Sequence, residues 1–149
     1  MSPDVPDRDH LTAYRPPGAS VLWAGLYWQY PANNWGSRAG RRVDGPRFKQ
    51  VRLQAASDTP DLVVNFIVGG IADPTLPNRD RVSAATSERL GRDWKLIRLD
   101  ISGQDFDRVV GALAWSLAYP QDWNGRDPVV LYLDDIVWDT DPVPEQPAP

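Results

Sequence analysis

The strongest strand signal in the chain is VVLYLDDIVW at residues 129–138, where β-branched and aromatic residues predominate. Further apolar runs alternate with turn-forming residues at the spacing of an all-β sandwich. These runs are residues 21–30, 48–55, 62–68, 94–101 and 109–118. A weaker strand is predicted around residues 82–90, and residues 105–110 are a candidate for one helical turn. The predicted fold is therefore all-β, with seven or eight antiparallel strands in two sheets.

The run VLWAGLYWQY at residues 21–30 is apolar on both of its faces. One face carries Leu22, Ala24, Leu26, Trp28 and Tyr30. The other carries Val21, Trp23, Gly25 and Tyr27. This pattern indicates an inner strand, or a strand whose outward side meets a ligand. Four tryptophans within strands are predicted to pack in the core or at an edge: Trp23, Trp94, Trp115 and Trp138. Trp115 is the preferred exception, because the concave sheet face of a jelly roll can bind glycans.

The chain has 149 residues, which is enough for one domain. Residues 1–17 and 140–149 are rich in proline and polar residues, and are predicted to be flexible. The β-sandwich domain is placed at residues 18–139. Flexible segments on both sides are typical of one module in a larger protein, so adjacent domains are possible partners, although a lone domain with frayed ends fits equally.

Charge and composition exclude several kinds of chemistry. Sixteen basic and twenty acidic residues give a net charge of −4, without the basic excess that nucleic acid binding requires. Cysteine is absent, which excludes thiolate sites. His10 is the single histidine and lies in a polar, proline-containing stretch, so the sequence offers almost no residues for a Ser-His-Asp triad or a multi-histidine metal site. No apolar run is long enough to span a membrane, and no signal peptide is recognisable at the start.

The chain offers few residues for the pair of carboxyl groups that hydrolyses a glycan. The only glutamates are Glu88, in an irregular segment, and Glu145, in the predicted tail. A catalytic acid would have to be an aspartate. The sequence therefore predicts a binding protein that is not an enzyme, with an aspartate-based glycan hydrolase as the weaker alternative.

One candidate ligand site lies in the loop that follows the aromatic strand. It combines Tyr30, Asn33, Asn34 and Trp35 with a proline and a glycine. An indole at a loop tip exposes a large apolar area, which a sugar ring would cover by stacking while the amides bind its hydroxyls. The alternative is that Trp35 caps the end of the sandwich and the asparagines satisfy the backbone of the turn.

Two further loops carry candidate residues. Residues 119–125, YPQDWNG, place Trp123 beside amides and before an Asn-Gly turn signal. If this loop shares an end of the sandwich with the first, Trp123 faces Trp35 across a groove. Residues 69–80 carry Asp80 among other polar side chains able to bind sugar hydroxyls, although most such clusters are merely solvated.

Three blocks, read in order, resemble a bacterial group of carbohydrate-binding-module-like domains with the galactose-binding-type β-jelly roll. The blocks are YWQYPANNWG at 27–36, VVNFIVGGI at 63–71, and DWKLIRLDISGQDFDRVVGALAW at 93–115 followed by LYLDDIVW at 131–138. The chain departs from the group at residues 53–57, where LQAAS lacks an aromatic and a charged residue. The resemblance implies a non-catalytic module that holds a polysaccharide or oligosaccharide outside the cell or at its surface.

Asp134 and Asp135 are adjacent in the strongest strand, where alternation sends them to opposite faces. A buried carboxylate needs a cation, an arginine or several N–H donors. Calcium suits such a group, and the resemblance implies a structural calcium held partly by Asp134. An arginine pair or a solvent-facing aspartate is the alternative.

The function predicted from the sequence is non-catalytic carbohydrate binding through exposed aromatic residues. The ligand-contacting residues are predicted to be Tyr30, Asn33, Asn34, Trp35, Asp80, Trp115 and Trp123, with Asp134 as the metal ligand. The alternative is a structural or protein-interaction sandwich whose aromatic residues lie in the core or against a neighbouring domain.

Overall fold

A computed structural model describes residues 10–13, 23–43, 47–119 and 128–145 of the chain. These residues form eight strands. In chain order they are β1 (His10–Ala13), β2 (Trp23–Gln29), β3 (Gln50–Ser57), β4 (Leu62–Gly69), β5 (Ser83–Leu90), β6 (Lys95–Asp100), β7 (Gly111–Ala118) and β8 (Val129–Asp139). The predicted all-β fold is confirmed, and the weak strand signal near residues 82–90 corresponds to β5.

The strands form two four-stranded sheets in the orders β1-β8-β3-β6 and β2-β7-β4-β5, and every pairing is antiparallel. Two sheets connected in this order are the arrangement of a jelly roll. The predicted two-sheet sandwich is therefore confirmed.

No helix occurs among the described residues, and hence none that could cross a membrane. The helical turn predicted at residues 105–110 is wrong. Val109 instead forms an isolated antiparallel bridge with Arg41, because their backbone N–H and C=O groups pair with each other at 2.8 Å. This bridge ties the long connection before β3 to the start of β7.

The core lies between the two sheets and is formed by alternate residues of the strands. On β4, Leu62, Val64, Phe66 and Val68 are fully or almost fully buried, and the residues between them are more exposed. On β7, Leu113, Trp115 and Leu117 face the same core. The predicted alternation of apolar residues thus buries one face of each sheet in the core. The opposite face of each sheet points outward.

The structure departs from the sequence prediction at the N-terminus. Residues His10–Ala13 fall in the segment predicted to be flexible, yet they form β1 and pair with β8. The register joins Leu11 to Leu131 and Ala13 to Val129. Local composition missed this strand because its stabilising hydrogen bonds come from a partner more than one hundred residues away in the chain.

Candidate functional site

The outer face of the β2-β7-β4-β5 sheet carries a groove of about 360 Å³. Residues from three strands and from the loop after β2 line it. They are Trp23, Gly25, Leu26, Tyr27, Gln29, Asn33, Trp35, Ile67, Ala114, Trp115 and Ser116. None of these lining residues is charged. The groove therefore combines aromatic rings with neutral hydrogen-bonding groups.

Small residues form part of the floor of the groove: Gly25, Ala114 and Ser116. Gly25 on β2 pairs with Ser116 on β7, and Ala114 pairs with Tyr27. A Cβ atom added to Gly25 would lie 2.9 Å from the carbonyl oxygen of Trp115 and 3.4 Å from the ring of Trp23. The absence of a side chain at Gly25 thus lets the neighbouring indole lie close to the sheet.

Trp23 stands at one end of this groove and is 64% exposed. The sequence predicts that Trp23 packs in the core or at an edge, and its exposure contradicts packing in the core. Because β2 is the edge strand of its sheet and alternation turns Trp23 to the outer face, no second layer of described residues covers the ring. Trp23 is the functional candidate that sequence reasoning missed.

Trp35 lies in the loop after β2 and borders the groove, where its ring packs against Tyr27 of β2. The two rings meet edge to face, with centroids 5.6 Å apart and planes at 78°. Trp35 nevertheless remains 59% exposed. The alternative in which this indole seals the end of the sandwich does not hold, since more than half of its surface is open.

Tyr27 and Trp23 lie four residues apart on one strand, so their Cα atoms are separated by about 13 Å. The Tyr27 ring covers Gly111, where a Cβ atom would collide with it. Its hydroxyl is buried and has no hydrogen-bond partner among the described residues. Tyr27 therefore packs against the β7 backbone at Gly111 and provides the ring against which Trp35 rests.

The two asparagines of the loop have different roles. Asn33 is exposed, adopts a φ of 57° and lines the groove, which leaves it able to contact a ligand. Asn34 is fully buried. Its amide donates to the carbonyl oxygens of Tyr30 and Arg38, and its oxygen accepts from the N–H groups of Gly36 and Arg38. Asn34 therefore holds the loop together. The prediction that it contacts a ligand is corrected, because backbone groups already occupy its amide.

Tyr30 is 55% exposed but is not among the lining residues of the groove. The guanidinium carbon of Arg41 lies 5.9 Å from the centre of its ring, within the range of a cation–π contact. A role for Tyr30 in ligand binding stays a prediction. A ligand would reach it only by extending beyond the groove.

Asp80 was predicted to bind sugar hydroxyls, but the structure buries it. Its carboxylate accepts hydrogen bonds from the backbone N–H groups of Ile71, Val110 and Gly111. Desolvation raises the pKa of Asp80, and the three N–H donors oppose that rise. Burial, together with the nearby Asp80 charge, also raises the pKa of Tyr27. The prediction of direct ligand contact is corrected, because the oxygens are already engaged by backbone groups.

Trp115 was the preferred strand tryptophan for ligand contact, and it is only 6% exposed. In the β7 register it lies between Leu26 and Phe66 and belongs to the core. Trp115 is among the residues that line the groove, but its side chain belongs to the core and offers a ligand almost no surface. Its chain neighbours Ala114 and Ser116 also line the groove.

Trp123 lies outside the described residues, as does most of the loop at residues 119–125. Its predicted place opposite Trp35 stays a prediction. The sequence signal for Trp23 lies in the run at residues 21–30, whose two apolar faces indicate an inner strand or an outward side that meets a ligand. The inner-strand alternative is wrong, because β2 is the edge strand of its sheet.

Asp134 lies in a bulge of β8, where the pairing with β3 shifts register between Arg52 and Gln54. Its Oδ1 atom accepts the backbone N–H of Asp135 at 2.7 Å, and Asp135 has a φ of 51°. Neither carboxylate is buried. The inward carboxylate expected from strict alternation is thus absent, because the bulge turns both residues away from the core.

A calcium ion takes six to eight oxygen ligands. Within the described ranges, no three His, Cys, Asp or Glu side chains come close enough to hold a metal ion. The described side chains around Asp134 therefore do not complete a calcium site by themselves. Further ligands would have to be backbone oxygens or residues outside those ranges.

The calcium hypothesis makes a direct prediction about thermal stability. If a structural ion is held by Asp134, EDTA lowers the melting temperature, because removing a ligand of the native state removes its binding free energy. Asp134→Asn then abolishes the response to EDTA. Differential scanning calorimetry with and without the chelator measures both effects. A melting temperature that EDTA leaves unchanged ends the hypothesis.

No protein-family model matches the sequence, and no characterised protein matches it by sequence. Solved structures similar to the chain include a family 30 carbohydrate-binding module with a TM-score of 0.46 and 15% identity, over 94% of this chain and 70% of that one. Another is the family 30 module of the cellulosomal cellulase Cel9D-Cel44B of Clostridium thermocellum, with a TM-score of 0.45 and 14% identity, over 85% and 70%. The Tobacco streak virus coat protein is similar at a TM-score of 0.34 and 13% identity, over 97% and 92%. These values are too low to transfer a ligand or a binding residue.

Proposed function

We propose that this domain binds a carbohydrate non-catalytically in the groove on the outer face of the β2-β7-β4-β5 sheet. The observation that carries the proposal is the pair of exposed indoles, Trp23 and Trp35, in one groove with a floor of small residues. A flat partner can rest on such a floor while it contacts both rings. Sugar rings have the flat C–H faces that this arrangement fits.

The polar groups of the groove support the same ligand class. Asn33 and Ser116 provide an amide and a hydroxyl group that donate and accept hydrogen bonds, as sugar hydroxyls require. Gln29 also lines the groove, but its Nε2 atom is buried and has no hydrogen-bond partner among the described residues. Uncharged donors and acceptors around an apolar centre are typical of sites that recognise neutral, hydroxyl-rich molecules.

The lining of the groove supports binding in preference to hydrolysis. A glycosidase of the usual kind needs two carboxyl groups on either side of the scissile bond. No aspartate or glutamate is among the described residues that line the groove. We further propose a tethering role, in which the domain holds a polysaccharide outside the cell or at its surface and adjacent domains act on it.

The test is a screen of the wild-type domain against diverse polysaccharides by affinity gel electrophoresis, followed by calorimetric titration of any hit. We expect dissociation constants between about micromolar and millimolar, since an exposed groove with two stacking rings gives about −4 to −8 kcal/mol. Failure to bind any glycan would contradict the proposal. It would favour the alternative of a protein-interaction domain, for which the exposed indoles form the interface.

A further inference from the structure

We propose that Asp80 is a positioning residue for the groove, acting through the segment at residues 71–80 to hold Trp35 in its exposed orientation. This inference rests on the proposed function. Asp80 touches no ligand in this scheme. Its contribution is to fix the loop on which an exposed indole stands.

The first step is the anchoring of the Asp80 carboxylate. Oδ1 accepts the N–H groups of Val110 at 2.6 Å and Gly111 at 3.2 Å, while Oδ2 accepts that of Ile71 at 3.1 Å. The Asp80 backbone N–H also donates to the Ile71 carbonyl oxygen at 2.7 Å. One buried side chain thus joins both ends of the segment at residues 71–80 to the beginning of β7.

The second step connects that segment to the tryptophan loop. The backbone N–H of Asn78 donates to the Gly36 carbonyl oxygen at 3.0 Å, and its side-chain amide donates to that of Ser37 at 3.3 Å. Gly36 has a φ of 98°, and a Cβ atom there would lie 2.9 Å from Leu76. The residue directly after Trp35 is therefore packed and hydrogen-bonded against the segment that Asp80 anchors.

An aspartate is needed at position 80 because both of its side-chain oxygens accept backbone N–H groups. Both oxygens of a carboxylate accept hydrogen bonds, whereas an asparagine amide has one acceptor oxygen and one donor nitrogen. In Asp80→Asn, the new amide group would face the N–H of either Ile71 or Val110, donor against donor. The variant has nearly the same shape as the wild type but loses one of the two anchoring points.

The experiment compares Asp80→Asn and Leu76→Ala with the wild type by two-dimensional ¹⁵N–¹H NMR. The spectrum gives one indole N–H signal for each tryptophan, and Trp35→Phe identifies the Trp35 signal by its loss. We expect both variants to shift or broaden the Trp35 signal, while the signal of Trp138, which is partly buried against the core, stays in place. Glycan affinity should fall by about two- to tenfold, because an indole that is no longer pre-oriented must be ordered on binding.

Ser57→Ala is the matched control for general destabilisation. Ser57 is buried in the other sheet, and its hydroxyl donates to the Val130 carbonyl oxygen at 2.6 Å. Its loss should lower the melting temperature without changing the Trp35 signal or the affinity. If Asp80→Asn does not fold, Leu76→Ala still tests the packing between the segment at residues 71–80 and Gly36.

The outcomes separate the two proposals. An unchanged Trp35 signal in Leu76→Ala, or in a folded Asp80→Asn, overturns the positioning role. A wild-type domain that binds no glycan contradicts the proposed function alone, since the NMR comparison needs no ligand. A shifted Trp35 signal with unchanged affinity also overturns the positioning role, because the orientation of the indole would then have no bearing on binding.

Discussion

Replacing Trp23 and Trp35 together by alanine is expected to abolish glycan binding and to leave the fold intact. Each ring is more than half exposed, so its removal takes little from the core. Central aromatic anchors of a binding site contribute about 2 kcal/mol or more each. The double variant should therefore lose about 4 kcal/mol, or a factor of about one thousand. Titration calorimetry on the best glycan from the screen measures this loss.

Trp28→Ala is the matched control for the double variant. Trp28 lies on the same strand and is 39% exposed, but it pairs with Leu113 on the inner side and does not line the groove. Its variant should bind glycan like the wild type. Retained binding by the Trp23 and Trp35 double variant, or a loss of binding in Trp28→Ala equal to that of the double variant, would place the site elsewhere.

Replacing Gly69 by alanine is expected to destabilise the domain strongly. Gly69 ends β4 with a φ of 64°, and a Cβ atom there would lie only 1.8 Å from the carbonyl oxygen of Val82. That oxygen belongs to the backbone, so it cannot turn aside as a flexible side chain would. The left-handed conformation and the collision together cost about 2–4 kcal/mol. The melting temperature should fall by about 10 °C in calorimetry.

Gly91→Ala provides the comparison for Gly69→Ala. Gly91 has an ordinary φ, and nothing lies within 4 Å of the Cβ atom that alanine would add. Stability should stay within about 1 kcal/mol of the wild type, and a small gain is expected from the stiffer unfolded chain. Equal losses for the two variants would show that the contact with Val82 is not the cause.

The strands could be predicted from the sequence because burial on one face produces alternation within a few residues. The run LVVNFIV gave β4 almost to the residue, and VVLYLDDIVW gave β8. The strand β1 could not be predicted, because HLTA has no pattern of its own and gains its hydrogen bonds from distant β8. The bulge at Asp134 could not be predicted for a similar reason. A register shift depends on how β8 pairs with β3, and the sequence of β8 alone does not show it.

The candidate site could be predicted in part. Trp35 and Asn33 were chosen because a loop rich in aromatic and amide groups suits a sugar, and both residues line the groove. Asn34 and Asp80 have the same chemical character, yet the fold uses their polar atoms for backbone groups. A short-range pattern identifies which side chains can bind hydroxyls. It does not show whether the polar atoms of those side chains are already hydrogen-bonded to the protein's own backbone.

The sequence by itself determined an all-β chain, the alternation of each long strand, and a surplus of aromatic residues on the run at 21–30. Only the tertiary structure decided that Trp23 faces out and Trp115 faces in. The reason is physical: alternation defines two faces for each strand, but the second sheet determines which face is covered. Because β2 lies at an edge and β7 beside it, the same packing that buries Trp115 leaves Trp23 exposed in the groove that Trp35 also lines.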